Sequence, residues 1–181
     1  FASNIDNGKI SMLEDFCDLM IESGLNKEIT WSMESSVIRK EMRKPLYEKL
    51  RKAGCNYICY GLESPTKRLL KAVGKTLAIQ DGVDFSATIR ECKEAGINIV
   101  INIMFGLPGE TDEDVDYLLK FLEKNKKYLA QINPAIEFCE YYPGSIGNAE
   151  PDKIGVDLSK GTLFWDSKDG KNTYLKRMER F

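Results

Sequence analysis

The sequence predicts an α/β fold with a parallel sheet, and two features indicate it. Residues 97–105 are nine mostly β-branched or apolar residues, as in a strand that is buried on both faces. A helical pattern, a glycine and a strand pattern also follow one another three times, with the glycines at Gly24, Gly54 and Gly96. Glycine there allows the left-handed conformation that ends a helix. Such recurring alternation is typical of βα units around a parallel sheet.

The spacing of apolar residues places the elements along the chain. Residues 1–7 are predicted as the end of a strand and the loop after it, and further strands are predicted over 28–33, 57–62, 97–105 and 132–141. Helices are predicted over 11–23, 45–53, 64–70, 81–95 and 111–127. The residues predicted to begin helices are Ser11 with Glu14, Ser64 with Pro65, and Thr111 with Asp114.

The character of the chain changes near residue 148. Residues 148–160 are polar and irregular, residues 162–165 are mostly apolar, and residues 173–181 are basic and helix-like. We expect Trp165 to anchor this segment. The predicted organisation is therefore a domain of residues 1–147 and a C-terminal extension of residues 148–181 that packs on it.

Composition limits the function classes. The 181 residues suffice for one domain, and 43% apolar content is enough for a core. A net charge of −2 gives no reason to expect nucleic acid or a membrane as a partner. Five cysteines argue against a secreted disulfide framework and favour the cytoplasm, and the absence of histidine excludes Ser-His-Asp and Cys-His catalysis within these residues. Because the chain begins without methionine, we interpret it as a piece of a larger protein.

The five cysteines are predicted to be buried core residues. Cys55 and Cys59 occupy positions that are apolar in the other helix–glycine–strand repeats. Four residues along a strand span about 13 Å, too far for the two thiols to share a metal ion or a disulfide. The remaining cysteines, Cys17, Cys92 and Cys139, lie on core patterns.

Polar residues stand in or directly after the predicted strands. Glu63 follows one strand, where a carboxylate can bind a ligand's hydroxyl or amino groups; the alternative role is to cap the next helix. Asn102 lies inside an apolar strand and must be hydrogen-bonded, and Ser32 resembles it. The Gly106–Gly109 turn is either a tight connection or a ligand site. Four basic residues on one helix could bind phosphate or form a solvated face: Lys67, Arg68, Lys71 and Lys75.

Three motifs carry a resemblance to a known family: Gly61-Leu62-Glu63-Ser64, Phe-Gly-Leu-Pro-Gly-Glu-Thr at 105–111, and Tyr-Pro-Gly-Ser at 142–145. In this order, on predicted strand ends, they resemble the later strands of the partial (β/α) TIM-like barrel of the radical S-adenosylmethionine (radical SAM) superfamily. The closest resemblance is to the group that often carries an upstream cobalamin-binding domain. The implied fold is an open half-barrel of parallel strands, with its first strand outside the chain and a C-terminal extension.

The resemblance implies that the intact protein binds a [4Fe-4S] cluster and S-adenosylmethionine, and generates a 5′-deoxyadenosyl radical. The radical would act on a small-molecule or peptide substrate, and the resemblance leaves open whether cobalamin is bound. Strand-end positions imply contacts with the ribose or methionine part for Glu63 and Ser64, and with adenine for Asn102 and the turn. The implied cofactor-binding residues are Asn4, Ser32, Glu63, Ser64, Asn102, Gly106, Leu107, Pro108 and Gly109.

The sequence departs from the family's fifth-strand pattern, Gly-x-Ile-x-Gly-x-x-Glu. Asn102, Met104 and Gly106 fill the first three places, and the glutamate comes one place late, at Glu110. This makes Glu110 doubtful as a cofactor contact and favours recognition by backbone groups.

The family's Cys-x-x-x-Cys-x-x-Cys loop is also absent. Leu62 stands where a third cysteine would follow Cys55 and Cys59. The cluster needs three thiolates on one loop, so we expect its ligands in an upstream part of the same protein. Two alternatives remain: a cluster-free (β/α) barrel that binds a phosphorylated metabolite at the helix following Thr111, and a non-catalytic binding or scaffold domain.

Overall fold

The computed structural model describes residues 2–3, 9–135 and 139–181. Its strands are β1 (Ala2–Ser3), β2 (Trp31–Ser36), β3 (Cys55–Glu63), β4 (Asn98–Ile103), β5 (Gln131–Pro134), β6 (Val156–Asp157) and β7 (Asp166–Ser167). Its helices are α1 (Ile10–Glu22), α2 (Lys44–Lys52), α3 (Lys67–Ala72), α4 (Phe85–Glu94), α5 (Asp112–Asn125), α6 (Ile146–Ala149) and α7 (Tyr174–Arg180).

The main sheet has five strands in the order β1-β2-β3-β4-β5. β1 pairs with β2 and β2 with β3 in parallel. At the other edge, the Ala130 amide donates to the Ile99 carbonyl and the Ala135 amide to the Ile103 carbonyl, both over 2.8 Å. These two bonds show that β4 and β5 run in the same direction. No pairing among the described residues joins β1 to β5. The prediction of an α/β fold with an open parallel sheet is confirmed.

The chain divides into two compact units. The first unit comprises Phe1–Leu62, Leu77–Asn102 and Leu122–Asn133, and the second unit comprises Glu63–Thr76, Ile103–Phe121 and Pro134–Phe181. The second unit contains residues on both sides of the predicted boundary at residue 147. That boundary stays a prediction.

The first unit is held by the sheet and by apolar faces of the helices beside it. In α2, the face predicted to point inward is buried, with Tyr47 and Leu50 fully inaccessible. α4 begins later than predicted because the Asp84 side chain accepts a hydrogen bond from the Ala87 amide and caps it there. Buried apolar side chains on successive elements remove area from water and stabilise the unit.

Two predictions near the start of the chain are wrong. α1 begins at Ile10 with Lys9 as the N-cap, without a side-chain cap bond, so Ser11 lies inside the helix and does not cap it. After α1, residues Leu25–Lys27 form a 3₁₀ turn and β2 begins only at Trp31. Ile29, expected to face inward on a strand, is 41% exposed, because the turn removes it from the sheet.

Other boundaries differ by local hydrogen bonding. α3 begins at Lys67, and the Ser64 hydroxyl accepts from the Thr66 amide over 3.1 Å, forming a turn before the helix instead of its cap. β5 ends at Pro134, so the predicted strand over 132–141 is too long; its residues 136–138 lie outside the described residues. By contrast, Thr111 and Asp114 form the predicted reciprocal cap of α5, over 2.9 and 3.4 Å.

The cysteines follow the prediction of core residues. Cys17, Cys55, Cys59 and Cys92 are at most 4% exposed, and Cys139 is partly buried. The Cys55 thiol donates to the Tyr57 carbonyl over 3.6 Å, and the Cys59 thiol donates to Asn102 Oδ1 over 3.5 Å. Burial raises the pKa of the Cys55 thiol to about 12, so it stays protonated at neutral pH and is a poor metal ligand.

Candidate functional site

Glu63 ends β3 in an unusual backbone conformation. Its φ is 59°, the one positive value at a non-glycine residue of the described chain. A left-handed conformation costs a residue with a side chain about 1–3 kcal/mol and often marks a functional position. The Glu63 carbonyl accepts a hydrogen bond from the Met104 amide over 2.9 Å, which joins the end of β3 to the residue after β4. The strand end is therefore held in place despite the strain.

The Glu63 carboxylate binds an ammonium group. Glu63 Oε1 lies 2.7 Å from Lys75 Nζ, and the two side chains are 17% and 26% exposed. α3 begins three residues after Ser64 with Thr66 as N-cap, and no side chain caps it. The helix-capping interpretation of Glu63 is therefore wrong. The carboxylate is instead a partly buried cation-binding group at the carboxyl end of a parallel strand.

Asn102 lies in β4 and is hydrogen-bonded, as its position in an apolar strand requires. Its Oδ1 accepts from Asn133 Nδ2 over 3.0 Å and from the Cys59 thiol over 3.5 Å. Among the described residues, none accepts a hydrogen bond from Asn102 Nδ2. The partly buried amide thus keeps a donor that a ligand could use. Its predicted contact with adenine stays a prediction.

Two further predicted residues lie in or before the sheet. Ser32 is in β2, half-buried, and its Cα is aligned with Tyr57 of β3. Asn4 lies outside the described residues. Ser64 is 3% exposed. Of the predicted set, the structure groups Ser32 with Asn102 in the first unit, and Glu63 and Ser64 with the glycine-rich turn in the second.

The turn between β4 and α5 is bonded through three of its backbone groups. The Gly106 amide donates to Glu110 Oε2 over 2.8 Å, and the Leu107 carbonyl accepts from the Glu110 amide over 3.0 Å. The Leu107 carbonyl also accepts from Asn172 Nδ2 over 3.0 Å, and the Gly109 carbonyl from Arg68 Nη1 over 2.9 Å. Three side chains from outside the turn therefore bond its backbone.

Glu110 has a role in this turn that the sequence pattern did not indicate. It is 4% exposed, and burial raises the pKa of its carboxyl group. The carboxylate bonds the Gly106 amide and lies 3.6 Å from Arg180 Nη1. Through these contacts, the Glu110 side chain supports the turn. Whether Glu110 also contacts a cofactor stays a prediction.

The N-terminus of α5 is already occupied by carboxylates. Asp112, Glu113 and Asp114 lie in its first turn, and the Asp114 carboxylate bonds the Thr111 amide. Arg68 pairs with Asp114 over 2.5 Å. Acidic side chains at a helix N-terminus take the place that a bound phosphate would need. The phosphorylated-metabolite alternative is not favoured.

A cavity of about 480 Å³ lies within the second unit. Pro108 of the turn forms part of its wall, together with residues 71–74, Tyr141 and Ser145. Its size is in the range of sites for small organic molecules, about 300–1,000 Å³. Ser145 of the third sequence motif and Pro108 of the turn therefore border one cavity.

Among the described helices, none is both long and apolar enough to cross a membrane.

An open parallel sheet with helices between its strands defines an α/β protein related to the (β/α) barrels. A model of the Radical SAM superfamily matches residues 8–122. This match covers well over half of the 181 residues. The chain belongs to the radical SAM superfamily.

Relatives and solved structures agree with this assignment. A bacteriochlorophyllide d C-8(2)-methyltransferase from Chlorobaculum tepidum is 35% identical over 98 residues, which cover 54% of this chain and 21% of that protein. An uncharacterized methyltransferase from Pyrococcus horikoshii is 27% identical over 118 residues, 65% of this chain and 24% of that protein. The chain therefore spans about a quarter or less of the relatives that it matches.

The fold is similar to that of the radical S-adenosylmethionine methyltransferase TsrM from Kitasatospora setae. Its structure with tryptophan substrate and an S-adenosylmethionine analogue gives a TM-score of 0.58 at 15% identity, over 71% of this chain and 24% of that one. A second structure of the same enzyme, with cobalamin and a [4Fe-4S] cluster bound, gives a TM-score of 0.56. At this identity the likeness concerns the fold.

Proposed function

We propose that the full-length protein is a radical SAM enzyme in which this chain supplies part of the S-adenosylmethionine site. The observation that carries the proposal is the Glu63 carboxylate, which ends β3 in a strained conformation and binds the Lys75 ammonium group over 2.7 Å. A carboxylate already suited to an ammonium group is chemically suited to the amino group of the methionine part of the cofactor. Membership of the superfamily supports the assignment.

The residues of the chain fit S-adenosylmethionine by their donor set. Glu63 accepts from ammonium or hydroxyl groups, as its bond to Lys75 illustrates. The contact of Asn102 with adenine is a separate prediction from the resemblance. Bound S-adenosylmethionine would supply the 5′-deoxyadenosyl group as a hydrogen-abstracting radical. What these side chains contribute is to bind and orient the cofactor; none of them transfers a proton in this proposal.

The residues do not fit the [4Fe-4S] cluster. The cysteines of the described chain are buried or partly buried, and no group of three metal-binding side chains occurs among the described residues. We therefore assign the cluster ligands to an upstream part of the same protein. Cobalamin, assigned to an upstream domain, is tested separately by the absorption spectrum of the full-length protein.

Free cysteines support a reducing compartment such as the cytoplasm.

The test is Glu63→Gln in the full-length, cluster-loaded protein. Losing a charge-assisted bond of about 1.5–3 kcal/mol should weaken S-adenosylmethionine binding about tenfold or more, measured by calorimetric titration. The thermal midpoint should change little, because Lys75 remains partly exposed to water.

Glu123→Gln is the matched control. Glu123 pairs with Lys126 at the same 2.7 Å, but its side chain is 71% exposed. The control should bind the cofactor as the wild type does. Equal affinity in wild type, Glu63→Gln and Glu123→Gln would remove Glu63 from the site and with it the main support for this proposal.

A further inference from the structure

Arg177 of α7 is a fully buried cation, with 0% exposure. Its guanidinium lies 3.8 Å from the centre of the Trp165 ring. Nη1 donates to the Trp165 carbonyl over 2.6 Å and Nη2 to the Leu163 carbonyl over 2.8 Å. No described carboxylate lies within ion-pair distance, and burial lowers the pKa of the group. A charge is buried at such cost only where its position serves a purpose or its bonds compensate fully.

The aliphatic part of Arg177 lies against Gly106. A Cβ atom added at Gly106 would lie 2.2 Å from Arg177 Cδ and 2.9 Å from Cγ, and Gly106 has a φ of +74°. The arginine therefore occupies the space that a side chain at position 106 would take. The glycine is required twice, by its left-handed conformation and by this contact.

Two neighbours of Arg177, Asn172 and Arg180, hydrogen-bond the main chain at Leu107 and Glu110. Asn172 Nδ2 donates to the Leu107 carbonyl over 3.0 Å. Arg180 Nη1 donates to the Glu110 carbonyl over 3.2 Å and to Asn172 Oδ1 over 2.9 Å. These three residues near the C-terminus contact Gly106, Leu107 and Glu110 in turn. The contacts surround the turn and leave it little freedom to move.

We propose that Arg177 is a positioning residue that sets the conformation of the Gly106–Gly109 turn for cofactor binding. Its guanidinium joins the main chain at Leu163 and Trp165, while its aliphatic part covers Gly106. The segment 163–181 is thereby part of the site's support. This inference rests on the proposed function, in which the turn borders the bound S-adenosylmethionine.

The test combines Gly106→Ala with Arg177→Ala in the full-length protein. Gly106→Ala alone adds both left-handed strain and the clash with Arg177, whereas the Arg177→Ala background removes that clash. Gly24→Ala is the matched control, because Gly24 has a φ of +76° and no atom within 4 Å of the added Cβ. The readouts are hydrogen exchange of the amides of residues 103–110, S-adenosylmethionine affinity and the thermal midpoint.

We expect Arg177→Ala to raise exchange in residues 103–110 about tenfold or more above any general increase. Its cofactor affinity should fall by about tenfold or more, since small displacements of positioning groups have large effects. In the wild-type background, Gly106→Ala should weaken S-adenosylmethionine binding by a similar factor. In the Arg177→Ala background, Gly106→Ala should weaken binding by less than about threefold relative to Arg177→Ala alone. Gly24→Ala should leave both the exchange of 103–110 and the affinity unchanged.

A purely structural role gives a different pattern. Exchange would then rise evenly along the chain, and the effects of Gly106→Ala and Arg177→Ala would add; either result overturns the proposal. If Arg177→Ala does not fold, Arg177→Met retains most of the side-chain volume and is measured in its place, with the same criteria. If the wild type binds no S-adenosylmethionine, the proposed function fails, but the exchange measurements still decide whether Arg177 positions the turn.

Discussion

The two tryptophans of the chain lie one in each unit, and they are held differently. Trp31 in the first unit is 2% exposed and meets the Phe16 ring edge-on, with ring centres 5.0 Å apart. Trp165 in the second unit is fully buried and carries the Arg177 guanidinium on its face. Each indole donates to a main-chain carbonyl, over 2.8 Å to Ala53 and 2.7 Å to Cys139. The same residue type thus supports an apolar core in one unit and a buried charge in the other.

The two tryptophan environments indicate that the two units gain their stability in different ways. In the first unit, burial of apolar surface beside a regular sheet is the main contribution to the free energy of folding. Such burial does not depend on the geometry of any single hydrogen bond. In the second unit, Glu110, Asn172 and Arg177 are buried polar groups held by hydrogen bonds, although Arg177 Nε has no partner among the described residues. Single substitutions in the second unit should therefore cost more whenever they remove one partner of a network.

The largest expected effect is that of Trp165→Ala. Truncating a buried aromatic residue costs about 3–5 kcal/mol, and Trp165→Ala also removes the cation–π contact, about 2 kcal/mol when desolvated. Trp31→Ala should incur only the first cost. Urea unfolding of both variants measures the two losses of unfolding free energy. Equal losses would show that Arg177 gains nothing from the Trp165 ring.

A smaller effect is expected from Tyr47→Phe in the first unit. The hydroxyls of Tyr47 and Tyr60 lie 2.9 Å apart, and both side chains are fully buried. Tyr47→Phe leaves the Tyr60 hydroxyl without its partner, which should cost about 1–3 kcal/mol in unfolding free energy. The double variant with Tyr60→Phe should recover part of this loss, because the Tyr60 hydroxyl is then removed as well. The buried Thr88 hydroxyl, which also bonds Tyr47, still loses that partner. A double variant less stable than the single one would contradict the explanation.

The smallest effects concern the pH dependence of one carboxylate in each unit. In the first unit, hydrogen bonds from Arg43 lower the pKa of Glu91 from its ordinary value of 4.5. Its contribution to stability is therefore present above pH 4.5 and lost as pH falls through the lower folded pKa. Since half of the Arg43 side chain is exposed, Glu91→Gln should cost only about 1 kcal/mol near neutral pH. The cost should shrink in acid, as measured by urea unfolding across pH.

Glu110 in the second unit should show the opposite trend. Burial raises the pKa of its carboxyl group above 4.5, so its contribution is present below that pH and is lost as pH rises through the folded pKa. Relative to the wild type, Glu110→Gln should therefore become more stable as pH rises above 4.5. The same unfolding series tests it. Parallel pH trends for Glu91→Gln and Glu110→Gln would contradict the contrast between the units.

Local patterns predicted the elements best where a single segment supplies all the interactions. The apolar face of α2 and the cap of α5 follow from residues within one turn of each other, and both are confirmed. The pattern over 28–33 misled because alternation predicts a strand whether or not a neighbouring strand is available to pair. Residues Leu25–Lys27 wind into a 3₁₀ turn instead. Backbone pairing is a long-range property that alternation alone does not carry.

The candidate site stays a prediction, and the sequence did not indicate the partner of Glu63. The sequence placed Glu63 directly after a strand, whereas the structure has it as the last residue of β3. The sequence raised Lys75 only as a phosphate ligand or a solvated residue. The ion pair between them depends on how the segment after α3 returns to the end of β3. Arg177 carried no signal at all, because a lone arginine in a basic helix has the pattern of a surface residue.

Side-chain polarity and spacing were sufficient to predict the repeated α/β units and the burial of Cys17, Cys55, Cys59 and Cys92. These features depend on residues close together in the sequence. The contact of Arg177 with Gly106 and the ion pair of Glu63 with Lys75 are visible only in the tertiary structure. The fold brings these distant residues together, so no local pattern of polarity or spacing indicates their contacts.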